Sequence, residues 1–197
     1  MKTSYLKITT VILLLCSIWA NAQTQFNADP ATSTVHWKGF KPTGEHYGEV
    51  KVKSGFFTVK DQKIVEGEFQ IDMNSISVLD IPSDEKSNPK LVRHLKSEDF
   101  FGVKKHPHST WKLTSVASEG DKTLFKGDLT IKGITHPVSF TATVDYKDEQ
   151  IVVKSDSFKI DRSKWDIKYK SNSFFENMGD KFIYDDIELS VHVSATK

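Results

Sequence analysis

Cysteine is almost absent from this chain of 197 residues, and neither glycine, proline nor one sign of charge is in excess. The single cysteine, Cys16, excludes an internal disulfide and a metal site built from several thiolates. Lys plus Arg number 27 against 26 for Asp plus Glu, so the chain lacks the basic excess with which nucleic-acid-binding proteins neutralise phosphates. Ten glycines and six prolines exclude collagen-like and low-complexity chains. The length then suits one folded domain with one core.

Motifs for catalysis and for cofactor binding are also missing. The chain has no G-x-S-x-G nucleophile elbow and no glycine-rich phosphate loop. His106 and His108 offer two metal ligands, but two ligands without a nearby carboxylate pattern do not complete a site. Asp185, between Ile183 and Ile187, is the carboxylate with the most apolar neighbours, and we interpret it as a bulge or barrel-rim residue. The sequence therefore predicts a protein without catalytic residues, cofactor or metal.

One long hydrophobic run is present, and it lies near the N-terminus. Lys2 and Lys7 precede the apolar residues 8–18, and small residues follow up to Ala22. A short positive segment, an apolar run and small side chains at the cleavage site are the pattern of a secretory signal peptide. The run is about half the length that spans a bilayer, so no integral membrane anchor is expected. We predict a signal peptide over residues 1–22, cleavage after Ala22, and a periplasmic or secreted protein.

Alternation of apolar and polar side chains dominates the chain from Ser33 onward, as is typical of half-buried strands. In one run Val65, Phe69 and Met73 share a face, and Glu66 lies on the opposite, polar face. Polar connectors of hairpin length separate the runs. The pattern predicts eight strands and one helix, with the strands at about residues 33–40, 47–59, 63–73, 108–118, 121–133, 135–147, 150–161 and 181–194 and the helix at about 89–99.

Eight short antiparallel strands must hide their apolar faces by closing or by stacking. Closure into a barrel removes the exposed strand edges, and about eight strands leave an interior that side chains fill or one small ligand occupies. The polar faces are rich in Lys and Glu, whereas a membrane barrel turns apolar residues towards lipid. The sequence therefore predicts an all-β fold, an eight-stranded antiparallel barrel with one short helix and a surface in contact with water.

Aromatic side chains are abundant, with 13 Phe, 4 Trp and 5 Tyr. Two interpretations stay open: the rings fill the barrel as plain core, or they line a cavity for an elongated apolar guest. Burial of each CH₂ group of such a guest contributes about 0.8 kcal/mol. A guest with roughly fifteen to twenty such groups would offset association costs of about 4–15 kcal/mol. Binding of this kind requires no catalytic side chain.

Several segments resemble the YceI-like family. Residues 91–101 resemble its "HL-[KR]-S-x-D-F" signature, and residues 127–138 its "G-x-L-T-[IL]-x-G-x-T-x-P-V" segment. Tyr47-Gly48, Gly55-Phe56-Phe57 and residues 72–76 follow the expected order, so the resemblance covers nearly all of residues 23–197. It implies an exported barrel of lipocalin-like shape with a tunnel that holds a long isoprenoid or similar lipid in characterised members. It also implies binding or carriage without an established catalytic activity.

The predicted ligand site combines the inward strand faces with side chains that guard the mouth of the barrel. His94 or Arg93 is the expected polar contact for a lipid head group. The wall consists of Phe57, Phe69, Ile71, Met73, Trp111, Leu113, Leu129, Ile131, Phe140, Ala142, Val144, Phe158 and Ile160, and the mouth of Leu91, His94, Leu95, Phe100, Phe101 and Trp165.

The long excursion before the last strand departs from the simplest pattern of the family. Trp165, Tyr169, Phe174 and Phe175 are aromatic residues on an otherwise polar stretch, which suits a lid or a partner contact. Two alternatives to a carrier therefore stay open. One is an interaction module with a solid barrel that uses the aromatic loop 162–180. The other is an enzyme that uses the same cavity, and the pairing of two barrels into a dimer is left open as well.

Overall fold

A computed structural model describes residues 23–197, and the predicted signal peptide lies outside the described residues. Ten β-strands and one α-helix form within this range. Their bounds are β1 Thr24–Ala28, β2 Thr34–Lys41, β3 Gly44–Lys60, β4 Lys63–Val78, α1 Ser87–Lys96, β5 His108–Glu119, β6 Lys122–Ile131, β7 Ile134–Tyr146, β8 Gln150–Ser155, β9 Phe158–Asp161 and β10 Asp186–Thr196.

One antiparallel sheet closes on itself because β10 is paired along both of its edges. On one edge residues 187–192 pair with β2. On the other edge residues 186–189 pair with β9 and residues 192–196 with β8. Strands β2 to β8 follow one another as neighbours, so the ring is complete. Closure satisfies the backbone groups that an open sheet would leave exposed at its edges.

The predicted eight-stranded antiparallel barrel is confirmed, with ten strands occupying eight positions of the ring. Strands β1 and β2 both lie between β3 and β10, and β8 and β9 both lie on the other side of β10. Strand β1 was absent from the prediction, because five residues are too few to show an alternation. At each of these two positions, consecutive strands pair with different parts of β10.

The predicted end of β4 near residue 73 is wrong, because the strand continues to Val78. Two other predicted strand boundaries differ from the structure for identifiable reasons. The strand predicted at 150–161 is interrupted near Asp156, whose carboxylate accepts hydrogen bonds from the side chains of Lys122 and Thr141 at 2.6–2.7 Å. The last strand begins at Asp186 and not near residue 181, because the carbonyl oxygens of Ile183 and Tyr184 accept hydrogen bonds from the Arg162 side chain. These local hydrogen bonds replace the ladder that alternation alone predicts.

The predicted face of Val65 is wrong. Thr58 pairs with Glu66 and Val59 pairs with Ile64, so Val65 is the extra residue of a β-bulge. Its side chain is 48% exposed, and Ile64 points into the core in its place. A bulge of this kind reverses the face of the residues beyond it, which no period-2 pattern can anticipate.

The antiparallel order gives the barrel two distinct ends. The end that we call the mouth carries the β2–β3 and β6–β7 hairpins, helix α1 and the segment 162–185 between β9 and β10. The opposite end, the base, carries the β3–β4, β5–β6 and β7–β8 hairpins and strand β1. Phe26, Ile64, Ile151 and Ala195 are buried at the base and pack it solid.

Helix α1 lies at the mouth because both its ends are fastened to neighbouring chain. At its start, the side-chain amide of Asn88 donates hydrogen bonds to the carbonyl oxygens of Val78 and Ile81 at 3.1 and 2.7 Å. At its end, Lys96 Nζ donates to the carbonyl oxygen of Asn74 at 2.7 Å. Leu95 is buried against the barrel, whereas Arg93 faces solvent. The helix therefore turns one apolar edge towards the barrel interior. None of the helices in residues 23–197 is long and apolar enough to cross a membrane.

Gly127 tests the close packing of the sheet. A Cβ at this position would overlap the Trp111 indole and lie 2.6 Å from the carbonyl oxygen of Lys112. We expect Gly127→Ala to lower the free energy of unfolding by about 1–3 kcal/mol, because a packed ring and a backbone must both shift. Gly39→Ala is the matched control, since a Cβ there meets nothing within 4 Å, and its effect should stay within about 0.5 kcal/mol. Urea denaturation measures both, and equal losses would contradict the packing described.

Candidate functional site

The barrel is hollow from the mouth down to the level of Phe57 and Phe125. A cavity of about 180 Å³ lies among the inward faces of the strands, and Leu95, Phe100, Phe101, Ile183 and Tyr184 also line it. The surface that the cavity exposes is apolar. An apolar cavity of about 150 Å³ is large enough to take up benzene. The rings therefore surround free space and do not fill it.

Aromatic rings form a connected band along the cavity wall. Phe57 and Phe69 meet edge to face with centroids 4.7 Å apart, and Phe69 lies 6.3 Å from Trp111. Phe140 continues the band at 5.5 Å from Trp111 and stacks on Phe158 at 4.9 Å. These separations fall in the range at which aromatic pairs attract each other beyond their simple burial. The band gives the cavity a wall that is both apolar and held in place.

The structure brings together most of the residues predicted from the sequence. Thirteen of them line this one cavity. They are Phe57, Phe69, Ile71, Met73, Leu95, Phe100, Phe101, Trp111, Leu129, Ile131, Phe140, Phe158 and Ile160.

Three predicted wall residues lie away from the cavity. Ala142 is 1% exposed, and both it and Val144 follow Phe140 along β7 towards the packed base. Leu113 is half-buried beside a bulge of β5, where the register shifts between Leu113 and Ser115. None of these three side chains lines the cavity, although Val153, the register partner of Val144, does.

Three predicted mouth residues are also outside the cavity lining. The His94 ring stands edge-on against Phe100 and Tyr169, with centroids 4.9 and 4.6 Å away, and its Nε2 lies 3.1 Å from Asp99 Oδ2. Leu91 is half-buried in the packing between the helix and the barrel. The indole Nε1 of Trp165 donates to the carbonyl oxygen of Leu129 at 3.2 Å, so Trp165 fastens its segment to β6. Each of the three serves the packing of the mouth.

Several lining residues were missing from the predicted set. Val35 and Trp37 on β2, and the inward face of β10, line the cavity as their alternation allows. That alternation was visible in the sequence, so these residues were within reach of the prediction. Apart from Arg162, the lining residues that the predicted set did not contain are Val35, Trp37, Gly39, Val50, Val52, Ile76, Ser109, Phe125, Val153, Ile183, Tyr184, Ile187, Leu189, Val191 and Val193.

Arg162 is the lining residue that no pattern indicates. It is 1% exposed, and its guanidinium donates hydrogen bonds to the carbonyl oxygens of Tyr184, Ile167 and Ile183 at 3.2, 2.7 and 3.0 Å. Its Nη2 also lies 3.2 Å from Asp185 Oδ1. Burial lowers the pKa of the guanidinium, and the nearby carboxylates of Asp185 and Asp161 act in the opposite direction. Arg162 is thus a buried charge satisfied by the backbone of the mouth segment.

Asp185, which immediately precedes β10, also belongs to this cluster. Its Oδ2 accepts hydrogen bonds from the hydroxyls of Ser171 and Ser173 at 2.8 and 2.6 Å. Its position before the first residue of β10 agrees with the rim position interpreted from the sequence. The cluster joins residues 162, 171 and 183–185, so it holds the two ends of the long segment together as a loop. Within residues 23–197, no group of three or more His, Cys, Asp or Glu lies close enough to hold a metal ion.

The comparisons with known proteins agree with this architecture. A family model described as the YceI-like domain matches residues 26–195. The chain is 32% identical to protein YceI of Escherichia coli O157:H7 over 96 residues, which cover 49% of this chain and 47% of that protein. The chain thus spans about half the length of the curated relatives it matches.

Two solved structures show the same fold at low identity. BcnA of Burkholderia cenocepacia has a TM-score of 0.65 at 20% identity, over 86% of this chain and 99% of that one. A domain from Saccharophagus degradans, described as polyisoprenoid binding and implicated in plant cell wall breakdown, has a TM-score of 0.60 at 10% identity. The latter match covers 87% of this chain and 97% of the domain.

The Arg162 cluster predicts a large stability effect. Arg162→Met removes the donors of three carbonyl oxygens and leaves Asp185 without its buried cation. We expect the free energy of unfolding to fall by about 3–5 kcal/mol, as when one partner of a buried ion pair is lost. Lys159→Met is the control, because its pair with Asp186 is exposed and contributes at most about 1 kcal/mol. Urea denaturation gives both values, and a loss below about 1 kcal/mol for Arg162→Met would contradict the role assigned to the cluster.

Proposed function

The chain belongs to the YceI-like domain family, and from this premise we propose that it binds an elongated apolar molecule, an isoprenoid or another lipid, inside the barrel. The observation that carries the proposal is the apolar cavity of about 180 Å³ within the closed ring. Ligand sites are concave and largely apolar, and the mouth of a β-barrel is a common position for them. The polyisoprenoid-binding description of the Saccharophagus domain supports the same class of ligand.

The size of the cavity limits how such a molecule is held. Pockets for larger organic ligands measure about 300–1,000 Å³, so the room of about 180 Å³ takes only part of a long chain. The remainder extends through the mouth or displaces the side chains that stand over it. Phe101 and Tyr184 are the partly exposed rings at this place. We infer that the hydrocarbon end enters first and that the polar end stays near the mouth.

Export and carriage complete the proposal. The pattern of residues 1–22 supports delivery to the periplasm or the exterior. There, a protein that shields an apolar chain from water would act as a carrier. The enzyme alternative has less support, because neither of its candidate groups, Asp185 and His94, lines the cavity. The interaction-module alternative also has less support, because it requires a solid barrel and this barrel contains a cavity of about 180 Å³.

Gly39→Phe tests the proposal by filling the cavity from its wall. Gly39 lines the cavity, and a Cβ there meets nothing within 4 Å, so a larger side chain can enter without displacing backbone. We expect Gly39→Phe to lower the fraction of protein that binds solanesol by about tenfold or more, because the added ring takes the ligand's space. Native mass spectrometry of the detergent-free protein measures the bound fraction.

Gly39→Ala is the matched control and should bind solanesol like the wild type, because one methyl group leaves most of the cavity open. Circular dichroism confirms that both variants keep the sheet. Wild-type protein that binds no solanesol, or a folded Gly39→Phe variant that binds it undiminished, would overturn binding inside the barrel. Ala142→Trp is unsuited to this test, because Ala142 lies in the packed base.

A further inference from the structure

We propose that the mouth of the barrel is a membrane-docking surface that settles on a bilayer containing anionic lipids. The apolar contacts would come from five exposed side chains that we call the rim: Tyr47, Leu79, Phe174, Phe175 and Tyr184. The inference concerns a surface of the protein and goes beyond the ligand in its interior.

Large exposed apolar side chains are concentrated at one end of the molecule. Seven such residues occur within residues 23–197, and the five rim residues all lie at the mouth. They are between 42% and 53% exposed. The other two, Val65 and Tyr146, lie near the base hairpins. Exposed apolar side chains that gather on one surface mark a contact site, whereas isolated ones need no explanation.

Part of the rim is joined by direct contacts. The amide of Leu79 donates to the carbonyl oxygen of Tyr47 at 2.9 Å, and the amide of Tyr184 donates to that of Phe40 at 3.0 Å. Lys38 Nζ lies 6.0 Å from the ring centroids of both Phe40 and Tyr47. Strands β2, β3 and β10 and the end of β4 therefore present aromatic rings and a cation together at the mouth.

Phe174 and Phe175 lie on a loop whose start is held by hydrogen bonds. Ser171 is fully buried, and its carbonyl oxygen accepts hydrogen bonds from the amides of both phenylalanines at 3.2 and 3.1 Å. The hydroxyls of Ser171 and Ser173 hold Asp185, so the two rings start from an anchored turn. Both rings nevertheless remain 50% exposed. A loop that could fold its rings inward presents them to the outside.

Cations accompany the rim and select the kind of membrane. Lys168 Nζ lies 4.9 Å from the centroid of the Phe174 ring. Lys86, which immediately precedes helix α1, and Lys90 and Arg93 within it are exposed. They are spaced four and three residues apart, which places them on one face of the helix. Within the described range, none of these three is in an ion pair. Basic side chains beside inserted aromatic rings bind anionic headgroups.

Acidic side chains in the same region moderate the attraction. Lys38 and Lys168 are themselves in ion pairs, with Glu45 at 3.3 Å and with Asp166 at 2.7 Å. Glu176 and Asp180 follow the two phenylalanines in the loop, and Asp84 and Glu85 precede helix α1. Adhesion must therefore come mainly from burial of the apolar rings at the headgroup level, where aromatic residues are enriched. The basic residues add preference for anionic lipid. This division makes both contributions separately measurable.

Docking by the mouth would give the cavity a function at the bilayer, provided that the barrel binds an apolar molecule as proposed above. The cavity is lined at the mouth by Phe101, Ile183 and Tyr184, so a hydrocarbon chain could pass between bilayer and barrel with little exposure to water. The surface itself can be tested without any cargo. Failure of docking is therefore distinguishable from failure of ligand binding.

The test is flotation of the protein with lipid vesicles. We use the chain from Gln23 onward, because it contains every strand of the closed ring and omits the apolar run that would bind lipid by itself. Vesicles of phosphatidylethanolamine with phosphatidylglycerol are compared with vesicles of phosphatidylcholine alone. We expect the wild type to float with the anionic vesicles and Phe174→Ser/Phe175→Ser to lose about tenfold or more in the bound fraction.

Val65→Ser is the matched control, because Val65 is 48% exposed but lies near the base. It should float like the wild type. Lys86→Gln/Lys90→Gln should weaken flotation with anionic vesicles and leave any binding to phosphatidylcholine unchanged. Absence of flotation in the wild type, or equal loss in Val65→Ser and the double phenylalanine variant, would overturn the proposal. Solanesol binding by a wild-type protein that does not float would overturn docking by this rim and leave the interior site intact.

Discussion

The pairing of β10 on both edges is the constraint on which the rest of this structure depends. Its residues 187–192 join β2 while residues 192–196 join β8, so one strand turns a sheet into a ring. A ring of eight positions leaves a narrow interior, and its alternating strands must send one side chain in two towards that interior. The identity of those inward residues then decides whether the ring is solid or hollow. At the base they are packed, and at the mouth they surround free space.

A buried charge organises the mouth. Arg162 satisfies three carbonyl oxygens that no strand ladder uses, and in doing so it ends β9 and delays the start of β10. Such a charge is costly to bury unless its hydrogen bonds are complete, so the position of the segment around it is strongly specified. Trp165 fastens the same segment to β6. The mouth is therefore built on rigid supports, from which the exposed rings of Phe174 and Phe175 project.

The sequence allowed the fold and most of the cavity wall to be predicted, for a physical reason. Period-2 alternation reports which side of a strand is apolar, and in a closed barrel that side is the interior, so Phe69, Met73 and Trp111 were assigned to the wall from pattern alone. Pattern does not report depth along the barrel, which is why Ala142 was placed on the wall. Bulges also escape it, as Val65 shows. Arg162 escaped it as well, because two of its three carbonyl partners, Ile183 and Tyr184, lie 21 and 22 residues further along the chain.

Our main proposal is that the barrel interior binds an apolar chain. The most direct measurement is anomalous diffraction from crystals grown with a long-chain alcohol that carries bromine at its hydrocarbon end. We predict a bromine peak inside the ring, within contact distance of Phe57, Phe69 and Phe125, with the alcohol oxygen towards the mouth. A bromine peak confined to the outer surface, with the aromatic band unchanged and the interior empty, would contradict it.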